Sequence, residues 1–233
     1  MFGNSAHVRL TESLNYRQSL RLELQGSRAD PTAVFWRVFY LPMLSKQDLR
    51  LHIRQQRHCL GIQALKRRER QMTRLLLQVP ALQKSQHIAA YWPNDGEISP
   101  LAALFHWQRH NKQVYLPVIR KDLHLDFRLW LPGQPLVKNR FGIPEPATKL
   151  QRHPGSLDAV LLPLVAFDQK GRRLGMGGGF YDRSFAFKRK RLWSKRPLLI
   201  GIAHDFQQVP QLPEEPWDIP LDMIITNHQI LDF

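Results

Sequence analysis

The sequence predicts an α/β domain of the three-layer, Rossmann-like kind, a mostly parallel sheet covered by helices on both faces. Three observations predict it. Strand-like and helical apolar patterns alternate from residue 87 onward. The run DAVLLPLVAF, residues 158–167, is continuously apolar, the form a strand takes when both of its faces are buried. That run feeds RLGMGGGFYDR, residues 173–183, where Gly175 and Gly177 to Gly179 stand before a helix start. At 233 residues and 43% hydrophobic content, the chain is long enough to build a full core of this kind.

The elements follow in order. Residues 1–42 show no sustained periodicity and run into VFWRVFYLPM. They read as a non-native or disordered extension ahead of a natural start at Met43, leaving 43–233 as one domain. Ser45 followed by Asp48 predicts a capping box. Leu49, Ile53 and Leu60, then Leu65, Met72, Leu75 and Leu76, mark two amphipathic helices broken near Gly61. HIAAYW from residue 87 reads as a strand, Ser99 and Pro100 as the N-cap and first residue of a helix reaching about His110, and QVYLPVI as the next strand. HLDFRLW alternates like a half-buried strand, and PGQP, FGIPEP and HPGS make 132–156 loop-rich. After the glycines come a helix from about Gly179 to Lys190, a strand PLLIGIA, a proline-rich connection and a last strand DMIIT. Ligands of such sheets lie beyond the carboxyl ends of the strands, where the glycine loop falls.

Composition narrows the function. No apolar run approaches the roughly 20 residues that span a bilayer and no signal pattern opens the chain, so a cytoplasmic protein without a membrane partner is expected. Cys59 alone excludes an internal disulfide and a multi-cysteine metal site, and its helical setting suggests a buried structural thiol. The formal charge of +15 implies anionic partners: nucleic acid, phosphate-rich cofactors or polyglutamates. The excess gathers in Lys46 to Arg74 and in FKRKRLWSKR, residues 187–196, where plain solvated surface is the alternative.

Fixing glycine costs backbone entropy, so a run of it needs a positive φ or a body that approaches the main chain closely. A strand, a glycine-rich turn and a helix start offer unpaired N–H groups and a positive helix end to an anion, with a plain tight turn as the alternative. A Walker loop would need Gly-Lys-Ser/Thr, and the dinucleotide fingerprint would need Gly or Ala where Phe180 stands. Asp182 falls in a first helical turn, which suits a carboxylate without any function; beside a phosphate it could hold magnesium. Asp222 could supply a second oxygen or be a strand-edge residue. Glu97, in YWPNDGEIS, lies on a loop between strand and helix, where functional and merely solvated carboxylates are both common. His106 and His110 stand four apart, but HWQRH lacks a metallopeptidase glutamate and reads as solvated helix surface. No Gly-x-Ser-x-Gly elbow supports a serine hydrolase.

LLPLVAFDQKGRRLGMGGGFYDR resembles the signature of the 5-formyltetrahydrofolate cyclo-ligase family, also called 5,10-methenyltetrahydrofolate synthetases. SKQDLRLHIRQQR, YWPNDGEIS, VYLPVI, FGIPEP and WDIPLDMIIT stand in the order that family shows, so the resemblance covers about residues 43 to 230. It implies an α/β fold and an ATP- and magnesium-dependent conversion of 5-formyltetrahydrofolate, with or without a polyglutamate tail, to 5,10-methenyltetrahydrofolate with release of ADP and phosphate. A monomer with no obligate nucleic acid is implied as well.

Carried position by position, Lys46 and Arg50 meet ATP phosphates from the first helix. Arg173, Leu174, Gly175, Met176, Gly177, Gly178, Gly179, Phe180 and Tyr181 form the loop that wraps ATP. Trp92, Glu97, Gly177, Gly179 and Tyr181 border the folate, Glu97, Tyr181 and Arg173 are the implied catalytic residues, and Asp182 with Asp222 holds magnesium. Gly178 stands where many relatives carry a basic residue, which leaves Arg172, Arg173 or Lys46 to meet the phosphates. Trp217 stands where many carry histidine. The rival readings are a basic RNA-binding or ribosome-associated protein, suggested by the charge, and a nicotinamide-dependent dehydrogenase, weakened by Phe180.

Overall fold

The structure, a computed structural model, describes residues 45–190 and 196–233. The chain divides into two units, 1–43 and 44–233, and the second is the one described below. The expectations for residues 1–42, for Met43 and for the middle of FKRKRLWSKR lie outside the described residues.

Helix α1 (Lys46–His58) starts at its expected cap: the Ser45 hydroxyl accepts the Asp48 N–H at 3.1 Å and donates to the Asp48 carboxylate at 2.6 Å. Leu49 and Ile53 are its buried stripe. Cys59 is exposed, contrary to expectation, because the helix ends at His58 and the thiol falls past that stripe, at the C-cap. Helix α2 (Ile62–Gln78) buries Met72 and Leu76, and the short α3 (Pro80–Lys84) turns the chain into the sheet.

Strand β1 (His87–Ala89) leads by a loop to α4 (Leu101–Arg109) and β2 (Gln113–Ile119), which turns back as β3 (Leu125–Leu129). Pro100 is the N-cap of α4, one residue later than expected, and the Ser99 hydroxyl accepts the Leu101 N–H at 3.3 Å. The loop-rich segment holds a hairpin of β4 (Leu136–Lys138) with β5 (Pro144–Pro146), then β6 (Gln151–Arg152) at the sheet edge. The long apolar run divides: β7 (Ala159–Pro163) lies in the sheet, while β8 (Ala166–Phe167) leaves it to pair with β9 (Arg173–Leu174). The expected helix to Lys190 is α5 (Phe180–Ser184) followed by a 3₁₀ segment, the two meeting at Phe185, whose ring is fully buried. β10 (Leu198–Ile202) and β11 (Met223–Ile225) follow, and β12 (Ile230–Asp232) adds a strand beyond the expected last one.

The sheet order is β12-β11-β10-β7-β1-β2-β3-β6. The strands from β11 to β2 are parallel, and β12 and β3 flank them antiparallel. This is the expected α/β class. Alternation along the central strands explains their continuous apolar sequence. Ile88, Leu161, Ile200 and Ile225 point to a core under α2, α3 and α4, while Ala89, Leu162, Leu199 and Ile224 point to a second core with Phe127, Phe167, Phe185 and Leu221. Each such buried Leu or Ile contributes about 1.5–3 kcal/mol relative to exposure.

Candidate active site

The glycine loop follows β9 and ends at α5. Gly177 and Gly179 have φ of 97° and 62°, the left-handed region that glycine occupies without a Cβ penalty. At Gly178 the constraint is space, since a Cβ would stand 2.4 Å from the Phe180 ring. The loop's carbonyls are tied down: Gly175 O accepts Arg50 Nε at 2.8 Å, and Gly178 O accepts Arg183 Nη2. Its N–H groups are not. Among the described residues, no backbone N–H from residue 175 to residue 181 has an acceptor. A row of unfilled donors at a helix start, beside an arginine, is an arrangement that can receive an anion. Leu174 is buried in β9, Met176 is half-exposed, and Phe180 packs edge-on against Phe141 at 6.1 Å.

Arg173 and Asp182 bracket this loop and meet at 2.6 Å. Asp182 Oδ1 also accepts the Ile219 N–H at 3.3 Å, and among the described residues no hydrogen bond reaches its Oδ2. Asp222 is held elsewhere: its Oδ2 accepts Lys188 Nζ and the Leu199 N–H, each at 2.7 Å, and among the described residues no hydrogen bond joins it to Asp182. The carboxylate whose own peptide abuts Asp182 is Asp218, which sequence reasoning passed over in WDIPLD for the later aspartate. Asp218 accepts the Glu215 N–H at 2.9 Å, and Glu215 pairs with Lys46 at 3.0 Å. Lys46 therefore reaches the site through the 215–219 segment.

Glu97 lies beyond the carboxyl end of β1 on a loop held from several sides. Arg54 grips Asp95 with two bonds of 2.6 and 3.2 Å, His58 adds a third at 2.9 Å, and His204 Nε2 meets Gly96 O at 3.2 Å. Gly96 has φ of 71° and rests on Arg57. Burial raises the Glu97 carboxyl to about 7, against the pull of the Arg57 charge and of the Asn94 N–H, which Glu97 accepts at 3.1 Å. Burial and then the Glu97 charge push the Tyr181 hydroxyl up, so Tyr181, at the end of the glycine loop, lies within electrostatic reach of the loop after β1. Trp92, half-buried on the same loop as Glu97, packs edge-on against Trp130 at 5.8 Å. Arg57 and His204 carried no sequence signal that marked them, because their partners are more than a hundred residues away.

Two ligand classes can be tested against this geometry. A phosphate chain fits the unfilled N–H row with Arg50 at its side. For magnesium, no group of three or more His, Cys, Asp or Glu is assembled among the described residues. Asp182 offers one free oxygen, which suits an ion that keeps waters and takes most of its other oxygens from phosphates. His106 and His110, the C-cap of α4, face each other with ring centroids 4.2 Å apart and their planes tilted by 31°, and have no third ligand among the described residues.

The sequence profile of the 5-formyltetrahydrofolate cyclo-ligase family matches residues 42–227. A protein of Haemophilus influenzae named 5-formyltetrahydrofolate cyclo-ligase is 39% identical over 187 residues, spanning 78% of this chain and 97% of that one. Its namesake from Escherichia coli K12 is 35% identical over 185 residues, 78% of this chain and 100% of that one. The solved structure of Aquifex aeolicus 5,10-methenyltetrahydrofolate synthetase matches with a TM-score of 0.69 at 31% identity, covering 81% of this chain and 93% of that one.

Proposed function

The chain belongs to the 5-formyltetrahydrofolate cyclo-ligase family, and from that premise we propose how its residues carry the ATP-dependent conversion of 5-formyltetrahydrofolate to 5,10-methenyltetrahydrofolate. The observation that carries the proposal is the row of unfilled N–H donors from Gly175 to Tyr181, with Arg50 on its flank. ATP supplies the phosphoryl group that turns a poor leaving oxygen into a good one, and magnesium offsets the phosphate charge.

The chain's own residues hold and orient. The loop N–H groups, Arg50 and Lys46 would hold the phosphates, and Arg173 fixes the carboxylate of Asp182, whose other oxygen would be available to magnesium. The peptide of Asp218 against Asp182 makes Asp218 the better second carboxylate, with Asp222 kept for its bond to Lys188. Trp92 and Tyr181 flank the folate ring and exclude water. The N10 amine closes the ring on the formyl carbon, the formyl oxygen departs with phosphate, and the N10 proton passes to Glu97. A carboxyl held near 7 suits that transfer at neutral pH. Holding both substrates together makes closure effectively intramolecular.

The same reading has one chain acting alone in the cytoplasm, without nucleic acid. A substrate with several glutamates would suit a net charge of +15. The test is to mix purified protein with ATP, magnesium and 5-formyltetrahydrofolate and follow the methenyl chromophore in the near ultraviolet. Absorbance that grows only with ATP is expected, and none at all would overturn the assignment.

A further inference from the structure

Arg57 sits in the last turn of α1 and is 3% exposed, yet no carboxylate is bonded to it among the described residues. Its Nη2 donates to the Leu164 carbonyl just past β7, while Nε and Nη1 are buried without an acceptor. A guanidinium carries five N–H donors, and keeping a charge buried with most of them unmet is costly. A buried methionine or leucine would be the cheaper filler. The neighbour that explains the choice is the loop after β1: a Cβ at Gly96 would stand 2.8 Å from the Arg57 Cβ, so that loop lies directly on this residue.

The next residue is Glu97. The titratable groups that face it are Arg57 from α1, Asp95 on its own loop, Tyr91 at the end of β1 and Tyr181 from α5. His204 stands across Gly96. Burial first, then nearby Arg68 and Arg57, hold the His204 imidazole down at about 4, so it is neutral at pH 7, as are the two tyrosines. Asp95 is anionic and opposes a charge on Glu97. Arg57 is therefore the one cation in this set.

We propose that Arg57 is a positioning residue for Glu97, its guanidinium braced on the Leu164 carbonyl and its stem packed under Gly96, so that the loop carrying the Glu97 carboxylate is held in place. The proposal rests on the reading that Glu97 takes the N10 proton. It separates two layers of the site: Glu97 touches the substrate, and Arg57 acts only through Glu97. Among the described residues no hydrogen bond joins Arg57 to the glycine loop, so nucleotide binding is expected not to depend on it.

The experiment is the pH profile of turnover at saturating substrates for wild type, Arg57→Gln, Arg57→Lys and Glu97→Gln, with ATP affinity measured in each. Arg57→Gln should move the acid limb to higher pH by at least about one unit, since the loss of a facing cation disfavours the carboxylate. Arg57→Lys, whose shorter side chain sets the charge farther off, should fall between Arg57→Gln and wild type, and ATP affinity should stay within about twofold in both. If Arg57→Gln does not fold, Arg57→Lys decides: a limb unmoved from wild type while the rate falls would make Arg57 a packing residue and overturn the proposal. Glu97→Gln tells the two layers apart. Loss of the limb in Glu97→Gln with an unmoved limb in the Arg57 variants defeats this inference alone, whereas a normal limb in Glu97→Gln defeats the assignment of Glu97 beneath it.

Discussion

Arg173 and Asp182 meet at 2.6 Å across the two ends of the glycine loop, with only 7% and 18% of their side chains exposed. An ion pair that closes a nine-residue span fixes both ends of a segment that glycine alone would leave loose. With Arg50 and Arg183 holding its carbonyls, the loop presents its N–H groups already arranged. Preorganised donors are worth more than flexible ones, because no ordering cost falls due when the phosphates arrive.

Asp182→Asn should keep the fold, since asparagine is tolerated in a first helical turn and still accepts from Ile219, yet turnover should fall by at least about 100-fold at any magnesium concentration. Near-normal turnover at saturating magnesium would reduce Asp182 to a helix-end carboxylate paired with Arg173.

Gly177→Ala puts a Cβ on a residue at φ 97°, a strain of about 1–3 kcal/mol that the loop must relieve by moving. ATP affinity, measured by calorimetry, should drop roughly tenfold while affinity for the reduced folate changes little. Equal losses for both ligands would mean that the loop is shared more evenly than the N–H row suggests.

Turnover should rise with pH through about 7 as Glu97 loses its proton, and Glu97→Gln should remove that limb while leaving ATP affinity intact. The check is nucleotide affinity beside cyclisation rate in one variant. A collapse of ATP affinity with folate binding untouched would place Glu97 on the nucleotide side.

His204 contributes to acid stability alongside the paired carboxylates Asp95, Asp158 and Asp205. Burial pulls its imidazole from 6.5 down to about 4, so the unfolded chain binds a proton that the folded one refuses. Its contribution is fully present above about 6.5 and is lost as the pH falls toward 4, by about 3 kcal/mol in all. Denaturant midpoints should drop over that window in wild type, and the drop should be smaller in His204→Gln. Parallel curves would show that His204 does not carry the effect.

The parallel core was legible because strands buried on both faces must be apolar at every position, as DAVLL and PLLIGIA are. The Ser45 cap and the glycine loop were legible for the same kind of reason: each is a local pattern with a local cause. The split at Pro163 and the antiparallel β12 were not, since three-residue strands carry too little periodicity to be read. The clamp on Gly96 by Arg57 and His204, and the seat of Asp218 beside Asp182, depend on contacts between distant parts of the chain. A single sequence holds no trace of such pairings. Asp222 and Asp218 both precede apolar residues, and only packing tells their surroundings apart.

The most direct test follows one oxygen atom. If the glycine loop holds the terminal phosphate of ATP against the formyl oxygen, that oxygen attacks phosphorus and leaves on phosphate, since phosphoryl transfer depends mainly on positioning and charge stabilisation. Substrate labelled with heavy oxygen in the formyl group, converted by the wild-type chain with ATP and magnesium, should yield inorganic phosphate enriched in the label after correction for exchange measured without enzyme. Label found in water and absent from phosphate would contradict the mechanism and leave the loop's phosphate site serving another step.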